Sequence, residues 1–222
     1  MTRTKLQDRL LPEYRMSEEI INMVTHIIGA FMGVAALVLL VMKAQTKLAV
    51  FAGVLYAVSM IVLFTMSATY HGMPSFYQTA KKVMQILDHC TIFILIAGTY
   101  TPVLLCAVMR YDPVSAWTLF GVIWAVCIVG IVLNAIDLKM FSRLSMVLYL
   151  ALGWCIVFRF NVLPATIGIS GIALLVAGGL AYTIGTIFYG LQHKIPYMHC
   201  VWHVLILAGA LLHFLCVYLY VI

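Results

Sequence analysis

The sequence predicts an all-α membrane protein, a bundle of seven transmembrane helices, from its charge, its hydropathy and the length of its apolar runs. Of 222 residues, 65% are hydrophobic and 9% are charged, whereas a soluble domain carries roughly 25% charged residues. The mean hydropathy is +1.11. Apolar runs of about 20 residues, the length of a helix that crosses a bilayer, recur between charged or turn residues.

Seven such runs divide the chain into a cytoplasmic N-terminal tail, residues 1–19, and one transmembrane domain, residues 20–222. We predict spans at residues 20–42, 48–70, 86–109, 114–136, 144–162, 165–189 and 197–222. Pro102 lies inside the third span, where a freed carbonyl and a kink are tolerable if neighbouring helices satisfy the freed group. Arg159 lies near the end of the fifth span, so its guanidinium must reach water or a polar cavity.

The basic residues predict the orientation of these spans. Nine of the thirteen lie in the N-terminal tail and in the loops after spans two, four and six, and four lie on the other side. Cytoplasmic loops carry the excess of lysine and arginine, so we expect the N-terminus in the cytoplasm and the C-terminus outside. The net charge of +6 is spread over short loops without a basic and aromatic patch, so no nucleic-acid partner is expected.

Polar residues inside the spans are costly, which makes their positions informative. They collect at the cytoplasmic ends of spans one, two, three and seven: Glu19, Asn22 and His26; Ser67 and His71; Asp88 and His89; His199 and His203. Four helices thus carry polar groups at a similar depth. Unrelated substitutions on lipid-facing surfaces would not produce this pattern, so we predict one polar site at the cytoplasmic face.

The spacing of three histidines indicates a metal site. His199 and His203 are four residues apart and lie on one helix face, where both can bind one zinc ion at about 2.0–2.1 Å. His71 can supply a third nitrogen. Three protein ligands and an open position are typical of catalytic zinc, which lowers the pKa of a water ligand to about 7. Asp88 could then orient a ligand or accept a proton.

Other polar residues have simpler explanations. Ser67 can bond its own helix backbone, and a cap and the helix dipole account for Glu18 and Glu19. His26 is expected to form a hydrogen bond in helix packing. We expect His213, about 15 Å deeper than His203, to be structural, and assign no role to His89.

Five segments give the sequence a specific resemblance. They are EEIINMVTH at 18–26, SATYH at 67–71, LDHCTIFILIAGTYTP at 87–102, GGLAYTIGTIFY at 178–189 and HCVWHVLILAGALLHF at 199–214. Together they resemble the hemolysin III family, the bacterial branch of the progestin and adiponectin receptor (PAQR) membrane proteins. The resemblance implies a seven-helix bundle in the bacterial inner membrane, with a zinc ion bound by His71, His199 and His203 and with Asp88 and Ser67 near its water ligand.

Three functions are compatible with these features. The first is a zinc-dependent hydrolase of a membrane lipid or another hydrophobic amide or ester, by similarity of the superfamily to alkaline ceramidases. The second is a cytolysin or channel, which would favour a polar stripe through the whole membrane. The third is a receptor or scaffold with a structural zinc. Retinal binding is excluded because the seventh span has no lysine. The substrate and the oligomeric state are not determined at this level.

Overall fold

The computed structural model describes residues 3–222, and this part of the chain is helical without any strand. The helices are α1 (Met16–Lys43), α2 (Lys47–Gly72), α3 (Gln78–Pro102), α4 (Pro113–Gly153), α5 (Leu163–Thr166), α6 (Gly168–Leu191) and α7 (Met198–Cys216). All except the short α5 are long and apolar enough to cross a membrane. The prediction of an all-α protein with several membrane spans is therefore confirmed.

Helix α4 and its continuation are too long for a single crossing. Pro113–Arg159 has 47 residues, about 70 Å of helix, whereas the hydrocarbon core is about 30 Å thick. The backbone leaves the helical region at Asp137, with φ −158° and ψ 95°. The Asp137 Oδ1 atom accepts hydrogen bonds from the Lys139 and Met140 N–H groups, both at 3.1 Å. Because Asp137 caps the next helical segment directly, the predicted loop at 137–143 is wrong and shrinks to one residue.

Helix α3 begins at Gln78, eight residues before the predicted span. Residues 78–85 are largely polar and contain neither glycine nor proline, so they continue the helix beyond the apolar run that hydropathy detects. Asp88 therefore stands near the start of the predicted apolar span but ten residues inside α3. At the other end Pro102 closes α3, and the chain continues as π-helix at Val103–Ala107, because proline has no N–H for the regular helical bond.

The turns of the bundle collect at two ends. We call the first end the N-terminal face, because residues 3–15 lie across it and contact three turns: the Thr4 N–H donates to Asp137, Lys82 to the Gln7 carbonyl and Tyr14 to Gln192. The opposite end is the C-terminal face. There Lys43 donates to the Tyr218 carbonyl, Arg110 to that of Val221 and Tyr111 to that of Ala165.

Helix α3 occupies the centre of the bundle. In the most apolar 18 residues of Gln78–Arg110, which comprises α3 and its continuation, 72% of residues are buried, whereas the corresponding share in α6 is 22%. It packs between α2 and α4, while α1 contacts α2 and α7, and α6 packs on α7. The outward faces of α1, α4 and α6 expose large apolar side chains, including Phe31, Val114 and Ile169. Such surfaces suit lipid rather than water. Arg159 meets the Asp112 carboxylate at 3.4 Å at the C-terminal face.

Candidate metal centre

Three histidines from two helices converge near the N-terminal face. His199 and His203 occupy the first two turns of α7, and His71 lies in the last turn of α2. Their exposed fractions are 6%, 2% and 3%. The Nε2 atom of His199 lies 3.0 Å from that of His203 and 3.4 Å from that of His71. The structure therefore brings together the three residues that the sequence nominates.

The geometry and chemistry of this cluster suit a metal ion. The ligand atoms of His71, His199 and His203 all lie within 4.8 Å of one another. A tetrahedral zinc bound at about 2.0–2.1 Å separates its nitrogens by about 3.3 Å, close to the distances here. When each Nε2 atom is unprotonated, as metal binding requires, three lone pairs face one another, and a cation between them removes that repulsion. His71, His199 and His203 can thus hold a metal ion.

Glu19 is the acidic partner of this cluster. Its Oε2 atom lies 2.5 Å from His71 Nδ1, and its Oε1 atom lies 2.7 Å from Lys81 Nζ. A histidine ligand commonly gives its second nitrogen to a carboxylate, which fixes the tautomer and the ring orientation. The expected helix cap is confirmed for Glu18, whose side chain accepts from the Arg15 N–H, but it does not account for Glu19, whose oxygens bond His71 and Lys81. Glu19 lies three residues before Asn22 and seven before His26, so the three polar side chains share one face of α1, but this spacing does not identify His71 as a partner.

Glu18 positions the start of α7. Its Oε1 atom accepts a hydrogen bond of 2.6 Å from the Tyr197 N–H, and its Oε2 atom accepts one of 3.0 Å from the Arg15 N–H. Tyr197 has a φ of 65°, a left-handed conformation that costs energy for a side chain other than glycine. The bond from Glu18 holds this strained residue two positions before His199. Glu18 therefore supports the histidine cluster from α1 without bonding the histidine rings.

Tyr14 covers the cluster on the N-terminal face. Its ring stacks on that of His199 with centroids 4.8 Å apart, and its hydroxyl donates to Gln192 Oε1 at 2.8 Å. Burial raises the pKa of the Tyr14 hydroxyl above its ordinary value, so it remains a donor. Sequence reasoning missed Tyr14 and Lys81, since nothing in the spacing of either residue indicates contact with the histidines.

Ser67 and Asp88 line a cavity that begins at the histidines. The cavity measures about 140 Å³, and His26, His199 and His203 contribute to the same wall. Ser67 is buried, while the Asp88 side chain is 14% exposed. Asp88 is not among the residues whose ligand atoms lie within 4.8 Å of one another. Its position suits contact with a molecule in the cavity, and its catalytic role stays a prediction.

The other histidines have distinct surroundings. The His26 ring stacks on that of His203 with centroids 3.8 Å apart. Neither of its ring nitrogens has a hydrogen-bond partner, so the expected hydrogen bond in helix packing is wrong. His89 Nδ1 contacts the Gln85 carbonyl at 2.9 Å, and its Nε2 contacts the Tyr189 hydroxyl at 3.2 Å. His213 Nε2 lies 3.1 Å from the Leu175 carbonyl on α6. None of the three belongs to the group around His71.

Comparison with known proteins gives a family match over most of the chain. The family model described as "Haemolysin-III related" matches residues 14–214. The chain belongs to the haemolysin III family. It is 38% identical over 210 residues to "Hemolysin-3" of Bacillus cereus, covering 93% of each chain. It is 35% identical to "Hemolysin-3 homolog" of Bacillus subtilis (strain 168), covering 93% of this chain and 96% of that one.

The haemolysin III match also extends to an animal protein. The chain is 23% identical over 169 residues to the human "Monocyte to macrophage differentiation factor", covering 75% of this chain and 68% of that one. This agrees with the wider PAQR superfamily that the sequence motifs indicate. The matched range, residues 14–214, runs from Tyr14 to beyond His213, so the whole centre lies within the haemolysin III region.

Glu19→Gln provides a direct test of the carboxylate partner. The amide keeps the size of the side chain but removes the charge that orients His71, so we expect zinc affinity to fall by roughly 10–100-fold. Competition with a chromogenic chelator, on the purified protein in detergent, measures this change. Glu13→Gln is the matched control, because Glu13 is exposed on the segment before α1. Equal affinities in both variants would contradict the role of Glu19.

Proposed function

We propose that this haemolysin III protein is a zinc-dependent hydrolase of a membrane lipid, or of another hydrophobic amide or ester, that adjusts membrane composition. The observation that carries the proposal is the junction of two features. Two histidines of the buried cluster that can hold a metal, His199 and His203, line a mostly apolar cavity whose wall also carries Ser67 and Asp88. A reactive site that opens into an apolar cavity suits a substrate from the bilayer.

The proposed fold has seven membrane crossings. Helix α4 contributes two of them, one before Asp137 and one after it. The hydrogen bonds support this count. The N-terminal segment contacts the first turns of α3, the break at Asp137 and the turn after α6. The C-terminal residues contact the last residue of α1 and the segment after α3. Such alternation requires an odd number of crossings. With the bias in basic residues, it supports a cytoplasmic tail at residues 1–19, a membrane domain at 20–222 and an external C-terminus in the bacterial inner membrane.

A reporter fused after Ile222 tests this orientation. We expect a reporter that is active only in the cytoplasm to give no signal there, and to give a strong signal when fused within the predicted cytoplasmic turn at residues 192–196. A strong signal after Ile222 would overturn the orientation. It would also place the histidine cluster at the external face.

In the proposed chemistry, the residues around the histidine cluster bind the metal, orient a ligand, transfer a proton or bind the substrate. His71, His199 and His203 would hold the metal, and zinc in such a site supplies a Lewis acid and an activated water. Glu19 keeps His71 Nε2 directed toward the other two rings. Asp88 accepts a proton from the attacking water and returns it to the leaving group. Ser67 donates a hydrogen bond to the carbonyl oxygen of the substrate.

Two other functions compete with this proposal. Cytolysis is suggested by the name "Hemolysin-3" of a relative, but a pore would favour polar walls through the membrane, and the middle of the cavity is lined by side chains such as Ile92, Ile96 and Ile206. The second alternative is a receptor or scaffold in which zinc only stabilises the fold. Such a receptor or scaffold uses the same three histidines, but it does not hydrolyse a substrate.

Metal analysis combined with a lipid hydrolysis assay tests the proposal. We expect about one zinc per chain, together with release of fatty acid from a panel of lipid amides and esters that stops when zinc is removed and resumes when it is restored. Zinc without hydrolysis of any member of the panel would favour the structural alternative. Absence of zinc from protein purified without chelators would contradict both.

A further inference from the structure

The distal end of the cavity carries a polar pair that the proposed chemistry does not use. Tyr182 on α6 and His213 on α7 both line the cavity, and their rings meet edge to face with centroids 5.2 Å apart. His213 lies ten residues beyond His203 on the same helix, about 15 Å along its axis. The cavity therefore has the histidine cluster at one end and this pair, which we call the distal pair, at the other.

The distal pair has unused hydrogen-bonding groups. The Tyr182 hydroxyl and the His213 Nδ1 atom are both buried, and neither has a hydrogen-bond partner in the protein. The His213 side chain is 7% exposed, so bulk water does not satisfy it. Buried polar atoms nearly always have a partner. The other unpartnered ring nitrogens of the wall belong to the histidine end, on His26, His199 and His203. Away from that end, three further polar side chains are already bonded: Thr99 to Leu95, Thr183 to Gly179 and Tyr100 to Gly153. The free capacity of this part of the wall is thus concentrated at the distal pair.

Close packing of α6 on α7 holds the two rings in place. A Cβ atom on Gly178 would lie 2.4 Å from the His213 ring, and one on Gly209 would lie 2.5 Å from the Tyr182 ring. Each ring therefore occupies space that the glycine of the opposite helix leaves open. This reciprocal arrangement fixes both rings against the wall of the cavity, as a binding subsite requires.

The chemistry of the pair is complementary to a hydroxyl group. His213 Nε2 contacts the Leu175 carbonyl at 3.1 Å, so Nε2 carries the proton and an uncharged ring offers a lone pair at Nδ1. The Tyr182 hydroxyl can donate. A ligand hydroxyl accepts from Tyr182 and donates to His213 through one oxygen atom. A methyl group satisfies neither partner and leaves both of them buried and unbonded.

We propose that the distal pair is a subsite for a hydroxyl on the apolar chain of the ligand, carried remote from the group that meets the histidine cluster. The proposal rests on the proposed function for the placement of the ligand's reactive end. It narrows the substrate class to amphiphiles with a second polar group on the chain. The separation of about 15 Å between the two ends sets the length of chain that satisfies both.

Binding of paired fatty acids tests the subsite without requiring turnover. The probes are dodecanoic acid and ω-hydroxydodecanoic acid, with the matched pairs from decanoic to hexadecanoic acid. Their carboxylate suits the metal end, because zinc accepts carboxylate oxygen. Affinities are measured by calorimetry on the zinc-loaded protein in detergent. We expect one chain length at which the hydroxyl tightens binding about tenfold.

Tyr182→Phe assigns that preference to the distal pair. The variant keeps the ring on Gly209 and removes only the donor, so we expect the plain acid to bind as before and the preference to disappear. Tyr56→Phe is the control, because the Tyr56 hydroxyl is also buried near α7 but bonds the Ala210 carbonyl at 3.4 Å, and Tyr56 does not line the cavity. This variant is expected to keep the preference.

The outcomes separate the subsite from the hydrolase. Absence of a hydroxyl preference at every chain length, or its persistence in Tyr182→Phe, would overturn the subsite. Failure of both acids to bind would also overturn it, because no chain would then enter from the histidine end. A preference that Tyr182→Phe removes, in a protein that hydrolyses no lipid, would leave the subsite standing and refute the hydrolase.

Discussion

Alanine at His203 is expected to remove most of the bound zinc. His203 Nε2 lies 3.0 Å from His199 Nε2 at the centre of the cluster, and its loss leaves two nitrogens for the metal. We expect affinity to fall by more than the roughly 10–100-fold that loss of a supporting partner costs. His71→Ala and His199→Ala are expected to behave in the same way. Zinc content after dialysis against a weak chelator measures the effect.

His213→Ala is the matched control for this prediction. His213 is also a buried histidine on α7, but it bonds the Leu175 carbonyl and lies about 15 Å deeper. Its removal should leave zinc occupancy near that of the native protein, even if the midpoint of thermal unfolding falls. Equal loss of zinc in His213→Ala and His203→Ala would refute the assignment of the ligands.

Asp88→Asn separates a hydrolase from a protein with structural zinc. The amide keeps the size of the side chain and removes its basicity, so the proton of the attacking water has no acceptor. We expect hydrolysis to fall by roughly 10²–10⁴-fold, while zinc remains bound, since Asp88 lies outside the group of ligand atoms. Parallel measurement of zinc content and of hydrolysis on the same preparation distinguishes the two effects.

Two results would contradict the role assigned to Asp88. Loss of zinc together with activity would make the carboxylate a support of the metal centre rather than a proton acceptor. Unchanged hydrolysis with zinc still bound would exclude Asp88 as the general base. Asp8→Asn serves as the control, because Asp8 is exposed on the segment before α1 and does not line the cavity.

The sequence predicted the histidine cluster for a reason specific to helices. His199 and His203 are related by the helical repeat, so local geometry alone places them together. His71 belongs to another helix, and only the similar depth of the polar residues suggested that it joins them. Glu19 was assigned to a helix cap because its partners, His71 and Lys81, are 52 and 62 residues away in the chain. No local pattern encodes such contacts.

The first and last residues of the helices also depend partly on local sequence and partly on distant contacts. Hydropathy locates apolar runs, so it found the membrane-crossing part of α3 but not the polar turns at 78–85 that precede it. It also placed a loop at 137–143, where the structure has a one-residue break. Asp137 makes that short break through its bonds to Lys139 and Met140, and the Thr4 N–H adds a hydrogen bond of 2.6 Å from the N-terminal segment.

Composition and helical periodicity are sufficient to establish a helical membrane protein with a polar site near one face, because lipid requires long apolar helices and penalises stray polar groups. Tertiary structure alone decides which polar residues meet. It brings Glu19 to His71, lays Tyr14 over His199, and sets Tyr182 beside His213 across the α6–α7 contact. These contacts depend on how whole helices pack, and the packing is determined by many side chains at once rather than by the spacing of any pair.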